Sequence, residues 1–312
     1  MEKILQKRAV RGILALFCCA LWGSGYPCVK LGYEWMQIDT MGGEFLFAGY
    51  RFFWAGILTF IVGCFMEKKI LKVEKEALFH VFWLGILQTA IPYLTLYVSM
   101  TYLEGSKGSV INSAYVFVSI IAAHFMMKNE KITSRKFIGC FIGFLGIVVI
   151  NFEPGGWGSE MTFMGEGLMF LGAVAYGVSL VVVRKFSRKI SVMTMTSYQM
   201  TFAGATLMIM GYIIHGSLTV NSMRSIILYL YMIVLSTASF SVWTVLLKYN
   251  EVDKVSIFGF STPIFGVVLS GLFLGEEIFS FKNLIALFLV CFGIIFVNRK
   301  VKEKSRLLCV EN

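Results

Sequence analysis

The sequence predicts an all-α integral membrane protein: ten transmembrane helices in two inverted five-helix repeats, N-in and C-in, with both chain ends on the cytoplasmic side. Three observations lead there. The 312 residues are 57% hydrophobic and 15% charged, with a mean hydropathy of +0.77, well above the usage of soluble domains. Uncharged runs recur along the chain at lengths near the roughly 20 residues that cross a bilayer. The basic residues between those runs alternate in density, and such a bias fixes orientation. A water-soluble enzyme is excluded by this composition, and no sizeable soluble domain fits between the runs.

The runs are 12–32, 42–66, 78–101, 108–127, 137–152, 163–183, 192–214, 225–247, 255–274 and 283–298. Lys7, Arg8 and Arg11 precede the first, as in a signal peptide, but its apolar stretch is too long for one and similar segments follow. It is read as a retained helix behind a cytoplasmic tail, 1–11. The first repeat then covers 12–152, the second 153–298, and a basic cytoplasmic tail 299–312. With the N-terminus inside, inner segments hold Lys3, Lys7, Arg8 and Arg11; Lys68, Lys69, Lys72 and Lys75; Lys128, Lys131, Arg135 and Lys136; Arg184, Lys185, Arg188 and Lys189; Lys248 and Lys254; and Arg299, Lys300, Lys302, Lys304 and Arg306. Outer segments hold Lys107, Arg224 and Lys282. One helix more or fewer near the middle would scramble that division. The same division accounts for the net charge of +10 without nucleic acid, which needs basic residues gathered on one patch. The seven cysteines form no C-x-x-C pair and sit mostly inside the runs, as small apolar fillers.

An internal repeat supports the division into halves. Glu130-Lys131-Ile132-Thr133-Ser134-Arg135-Lys136 matches Glu276-Glu277-Ile278-Phe279-Ser280-Phe281-Lys282 at the Glu, Ile, Ser and Lys positions, each block lying between two apolar helices. Five spans per half is an odd number, so the halves cross the membrane in opposite senses. Two inverted halves can exchange inward-open and outward-open shapes around a shared midplane site.

Trp22-Gly23-Ser24-Gly25-Tyr26-Pro27 with Lys30 in the first helix, Arg51-Phe52 in the second, and the Glu130 and Glu276 turns followed by short Gly-containing helices resemble the drug/metabolite transporter superfamily, EamA type. The resemblance covers essentially the whole chain. It implies a permease for a small organic metabolite. Members carry amino acids, cofactors, purines, sugars and drugs, so it says little of the substrate. It also implies that helices 5 and 10 stand outside the cavity-forming eight, which suits their shortness and the packing glycines Gly139, Gly143 and Gly146. Gly266, Ser270, Gly271 and Gly275 give helix 9 a similar close-packing face. One departure is Pro263, whose equivalent place in the first half is the proline-free Tyr115-Val116-Phe117-Val118. A hinge expected in both halves then operates in one.

Pro27, Pro92 and Pro263 lie within spans and free the carbonyls of Gly23, Gln88 and Gly259. Such breaks are tolerated where they face protein or a water-filled cavity. They are the expected hinges, with static kinks as the alternative. Polar and aromatic side chains cluster beside them, and the expected substrate-binding set is Trp22, Ser24, Tyr26, Arg51, Gln88, Tyr93, Asn112, Tyr115, Tyr176, Ser239 and Trp243. Arg51 lies roughly 15 Å into a core about 30 Å thick, where a charge costs about 2.5–3.5 kcal/mol. It attracts an anionic group, holds a gate or ties its helix to neighbouring carbonyls; Glu44, seven residues earlier on the same face, is bridgeable by two extended side chains. Lys30 is expected to snorkel to the outer surface.

No Asp or Glu occupies a mid-span position, and His80, His124 and His215 lie near span ends or in loops. No metal, cofactor or catalytic residue is expected. An intramembrane enzyme, the alternative function, would need a nucleophile with its base, paired carboxylates or metal ligands at mid-depth. The expected function is a permease in the bacterial cytoplasmic (inner) membrane, moving an amino acid or a similar neutral or zwitterionic compound, most naturally outward. Drugs, cofactors and nucleobases are the alternative cargoes. Its partners would be that solute, the lipid bilayer and no nucleic acid, and a homodimer is compatible with the chain.

Overall fold

Helices begin here where a side chain can satisfy the amides that a helix start leaves orphaned. Thr40 accepts from the Gly43 amide, Thr162 from Gly165, Ser191 from Thr194 and Ser222 from Ser225. Glu166 returns the favour at one of these caps, taking the Thr162 amide at 2.9 Å. In the computed structural model, which describes residues 2–103, 105–128, 130–150, 162–274 and 281–298, every regular element among the described residues is helical. After a four-residue turn of helix at Glu2–Leu5 come α1 (Arg8–Trp35), α2 (Met41–Glu67) and α3 (Lys75–Tyr102). Next are α4, in two pieces (Gly105–Asn112 and Tyr115–Met126), α5 (Ser134–Ile150) and α6 (Phe163–Phe186). The last are α7 (Val192–Ile213), α8 (Met223–Tyr249), α9 (Val252–Phe273) and α10 (Phe281–Asn298).

Six of these, α1, α2, α3, α6, α8 and α9, are long and apolar enough to cross a membrane, and α4 and α10 hold shorter apolar stretches. Helix α7 has the length, but its stretch Thr194-Met195-Thr196-Ser197-Tyr198-Gln199 lowers its hydropathy. Helix α4 is shortened by a turn at Ser113 and Ala114. Large apolar side chains project outward around the bundle, with Phe65 and Phe125 each 80% exposed. A surface of that kind is stable against lipid and not against water.

The tightest pairing is α2 against α7. Gly42, Gly49, Gly56 and Gly63 recur every seventh residue on α2, and Ser197, Gly204 and Gly211 do so on α7. A seven-residue repeat keeps one seam facing its partner along the whole helix, and small residues on that seam let backbones meet. A Cβ on Gly56 would stand 2.6 Å from the Thr201 amide nitrogen, and one on Gly49 2.7 Å from that of Met208. Helices α5 and α10 pair in the same way, where a Cβ on Gly293 would lie 2.6 Å from the Gly139 carbonyl. Helix α1 packs on α8 and α9, α6 on α3 and α4, α2 on α8, and α3 on α7.

Two large apolar clusters fill opposite ends of the bundle. One gathers Tyr115, Val116, Leu180, Val183, Leu246, Leu247 and Val255, where α8 runs into α9. The other gathers Met36, Ile38, Phe47, Tyr97, Met100 and Leu103, where α1 runs into α2.

Candidate functional site

Between the two clusters the wall of a cavity is assembled one helix at a time. Gly23 sets the position of α1 against α9: a Cβ there would meet the Phe265 Cβ at 2.6 Å and the Gly266 amide at 2.9 Å. On α1, Trp22, Gly25, Tyr26 and Val29 fall at helical spacings that share one face. Helix α3 contains a π-turn at Ile86–Ala90 directly before Ile91 and Pro92. That turn absorbs the irregularity the proline imposes and leaves Pro92, Tyr93 and Leu96 together. The interruption of α4 places Asn112 and Tyr115 on either side of a bend, and a 3₁₀ turn at Ile257–Ser261 precedes Thr262 on α9. With Arg51 of α2 and Tyr176 of α6, these residues line a partly open cavity of about 60 Å³.

Trp22, Tyr26, Tyr93, Tyr115 and Tyr176 form the aromatic part of the wall. Trp22 meets Tyr176 edge-on with centroids 6.2 Å apart, Tyr115 meets Tyr176 at 5.0 Å, and Phe52 lies 4.3 Å from Tyr93. Polar contacts are few: Asn112 Nδ2 donates to the Tyr26 hydroxyl at 2.9 Å. The Trp22 indole nitrogen and the hydroxyls of Tyr115 and Tyr176 are buried without a hydrogen-bond partner. Arg51, 2% exposed, donates from Nε to Ser236 Oγ at 2.8 Å and from Nη1 to the Tyr97 hydroxyl at 3.1 Å. Its guanidinium sits over the rings of Phe52 and Tyr93, at 4.9 and 5.5 Å from their centroids, a cation–π arrangement.

Of the residues expected from sequence, the cavity wall brings together Trp22, Tyr26, Arg51, Tyr93, Asn112, Tyr115 and Tyr176, with Pro92 among them. Four others stand elsewhere. Ser24 donates to the Leu21 carbonyl and meets the Tyr231 hydroxyl at 2.6 Å. Ser239 bonds back to the Leu235 carbonyl at 2.7 Å, the usual resort of a serine inside a helix. Gln88 is buried within the π-turn. Trp243 packs behind Trp22, 4.8 Å away between centroids, and so supports the wall without forming it. Pro27 sits inside an uninterrupted α1 and Pro263 just beyond the 3₁₀ turn. The proline-free α4 is nonetheless broken, so an irregular helix is present in that half too.

Two expectations are corrected. Glu44 does not reach Arg51; its Oε1 accepts from Thr101 Oγ1 at 2.5 Å, because α3 offers a closer donor than a guanidinium two turns away. Lys30 does not snorkel. Its Nζ donates to the carbonyls of Met100 and Leu103 at 2.5 and 3.2 Å, which the end of α3 leaves without helical partners. Gly25, Val29, Leu96 and Thr262 complete the wall. The helical spacing from Trp22 and Tyr93 could have revealed the first three, whereas Ser236 and Tyr97 as partners of Arg51 left no local signal.

The end where α8 runs into α9 is closed by charge. Glu130 pairs with Arg184 at 2.8 Å and accepts the Val252 amide at 2.8 Å. Lys136 pairs with Asp253 at 2.8 Å, and Arg11 donates to Asn250 at 3.2 Å. Burial pushes the Glu130 carboxyl above its ordinary value, with the Arg184 guanidinium opposing. Glu276, its counterpart in the sequence repeat, lies outside the described residues, as do the 152–161 connection and the 299–312 tail.

Comparison with known proteins agrees on the class. A model of the EamA-like transporter family matches twice, over residues 10–152 and 163–299. The uncharacterized transporter YvbV of Bacillus subtilis is 24% identical over 302 residues, covering 94% of this chain and 93% of its own. An uncharacterized transporter of Archaeoglobus fulgidus is 27% identical over 292 residues, covering 92% of this chain and 98% of its own. A protein known from its crystal structure shares the fold, with a TM-score of 0.76 and 16% identity over 94% of this chain and 97% of that one.

Proposed function

The chain belongs to the EamA-like transporter family, a multi-pass integral membrane transporter, and from that premise we propose that it moves a small organic metabolite by alternating access. The cargo is an amino acid or a similar neutral or zwitterionic compound, and the direction is outward across a bacterial cytoplasmic membrane. The topology this reading requires is ten spans in two inverted halves with both ends inside. Two observations support it. The family model matches each half separately. Exchanging every helix for the one five places along also maps the packed pairs onto themselves: α1 with α8 and α9 becomes α6 with α3 and α4, while α2–α7 and α5–α10 return to themselves.

The observation that carries the reading is the cavity. Its wall is drawn from four helices of the first half and two of the second, and it lies where the two apolar clusters meet, Tyr26 belonging to one and Tyr115 and Tyr176 to the other. A cavity shared by two similar bundles can be exposed to either side by moving one bundle against the other. The test is reconstitution: liposomes holding the purified protein, loaded with isotope-labelled amino acids, are expected to lose a subset of them faster than protein-free liposomes. Failure of every loaded solute to move in either direction would overturn the carrier.

A substitution within the cavity gives a sharper check. Nothing lies within 4 Å of the place where a Cβ on Gly25 would stand, so Gly25→Leu is expected to fill the chamber without disturbing the fold. Transport is expected to fall at least tenfold. The melting temperature stays level or rises, since a helix-interior Gly costs about 0.5–1 kcal/mol. Transport at the wild-type rate would move the pathway elsewhere.

A further inference from the structure

We infer that Arg51 is the anchor for a carboxylate on the transported solute, so that the carrier accepts compounds bearing one free carboxylate and rejects their carboxamides. This rests on the carrier reading above and adds to it the chemical group the site selects. A guanidinium has five N–H donors. Two are used, by Ser236 and Tyr97, and the other three, both hydrogens of Nη2 among them, have no protein partner among the described residues. Arg51 nevertheless belongs to the cavity wall, so the free edge of the fork is available to a solute there.

The surroundings select an anion. Both hydrogen-bond partners of Arg51 are neutral, and no carboxylate among the described residues pairs with it. None of the residues that line the cavity is acidic, and Arg51 is the one cation among them. The chamber therefore carries an uncompensated positive charge in a medium that screens it poorly. A cationic amine is repelled, and a solute with one negative oxyanion relieves the cost of the buried guanidinium. A monovalent carboxylate matches both the single charge and the planar fork, whose bidentate geometry is fixed. A phosphate dianion would leave one negative charge unmatched. The rings of Phe52 and Tyr93 hold the guanidinium plane, while Trp22, Tyr26, Leu96 and Tyr176 supply an apolar bed for the rest of the molecule.

A merely structural arginine, tying α2 to α3 and α8, would not discriminate between solutes. Counterflow in proteoliposomes separates the two roles, using the twenty L-amino acids with benzoate and phenylacetate as labelled probes and the matching carboxamides and decarboxylated amines as competitors. For any probe that moves, the free acid is expected to compete at least tenfold better than its carboxamide, and the amine to be weaker still. Arg51→Gln is expected to raise KM for the acid at least tenfold and erase the preference over the amide, while Arg51→Lys keeps part of it. Equal competition by acid and carboxamide in the wild-type protein overturns the inference without any variant. Movement of amines alone does the same, yet leaves the carrier standing. If no acid, amide or amine moves, the carrier reading itself fails, and this inference with it.

Discussion

Replacing Glu130 with Gln is expected to lower the melting temperature of the purified protein on the order of 10 °C. Arg184→Gln should do much the same, and the double replacement should recover most of the loss. Glu130 and Arg184 are 4% and 7% exposed and stand 2.8 Å apart. Removing one partner of such a pair leaves the other charge buried and unmatched, at about 3–5 kcal/mol, whereas removing both is often close to neutral. A double-mutant cycle in thermal unfolding therefore reads the coupling directly, and simple additivity of the two losses would show that the residues act independently. The Val252 amide, which bonds to the same carboxylate, can still bond to the glutamine oxygen, so the expected loss is specific to the charge.

The same pair joins separate parts of the chain at one end of the bundle. Burial raises the Glu130 carboxyl above its ordinary value in spite of Arg184. Its members come from different parts of the chain: Glu130 follows α4, Arg184 ends α6 and Val252 starts α9. The proposed movement of one half against the other would part them.

The fold was legible where composition decides it and obscure where packing does. Runs such as 42–66 and 225–247 read as spans because lipid demands apolar length, and the structure gives them as α2 and α8. The run 192–214 reads as a span as well, and the structure gives helix α7 there, although Thr and Ser residues at a helix interface lower its hydropathy. The break in α4 at Ser113 and Ala114 has no proline to announce it. At the cavity, Trp22, Tyr26, Tyr93, Tyr115 and Tyr176 were visible as aromatic residues near mid-span, close to helix irregularities that prolines or glycines betray. Ser24 and Ser239 misled because a hydroxyl in a helix can satisfy itself on its own backbone. Glu44 misled because intrahelical spacing says nothing of a nearer donor on another helix. Charged partners far apart in sequence, such as Glu130 and Arg184, could not be paired from spacing alone.

The seam between α2 and α7 was also unread in the sequence, although its period is plain once seen, and it yields the second large effect. Gly204→Ala is expected to leave little folded protein, because the new Cβ would overlap the Phe53 amide nitrogen and lie 2.7 Å from the Gly49 carbonyl. Neither obstacle is a side chain that can rotate away, so the two helices must separate along their length. Ordinary overpacking of a core costs about 1–3 kcal/mol, and backbone contacts that cannot repack place this change beyond that range. The comparison that isolates the cause is Gly25→Ala on α1, where the added methyl meets open space and stability is expected to hold or improve. Both changes remove one glycine from the interior of an apolar helix, so helix propensity favours both equally. Size-exclusion profiles and thermal unfolding in detergent read the outcome: a stable, monodisperse Gly204→Ala protein would show that α2 and α7 do not meet backbone to backbone. Gly56→Ala tests the same seam one heptad away, with the Thr201 amide and the Ser197 carbonyl as its obstacles. Loss of fold at both positions, with tolerance at Gly25, would identify the seven-residue spacing as the constraint that holds the two halves in register.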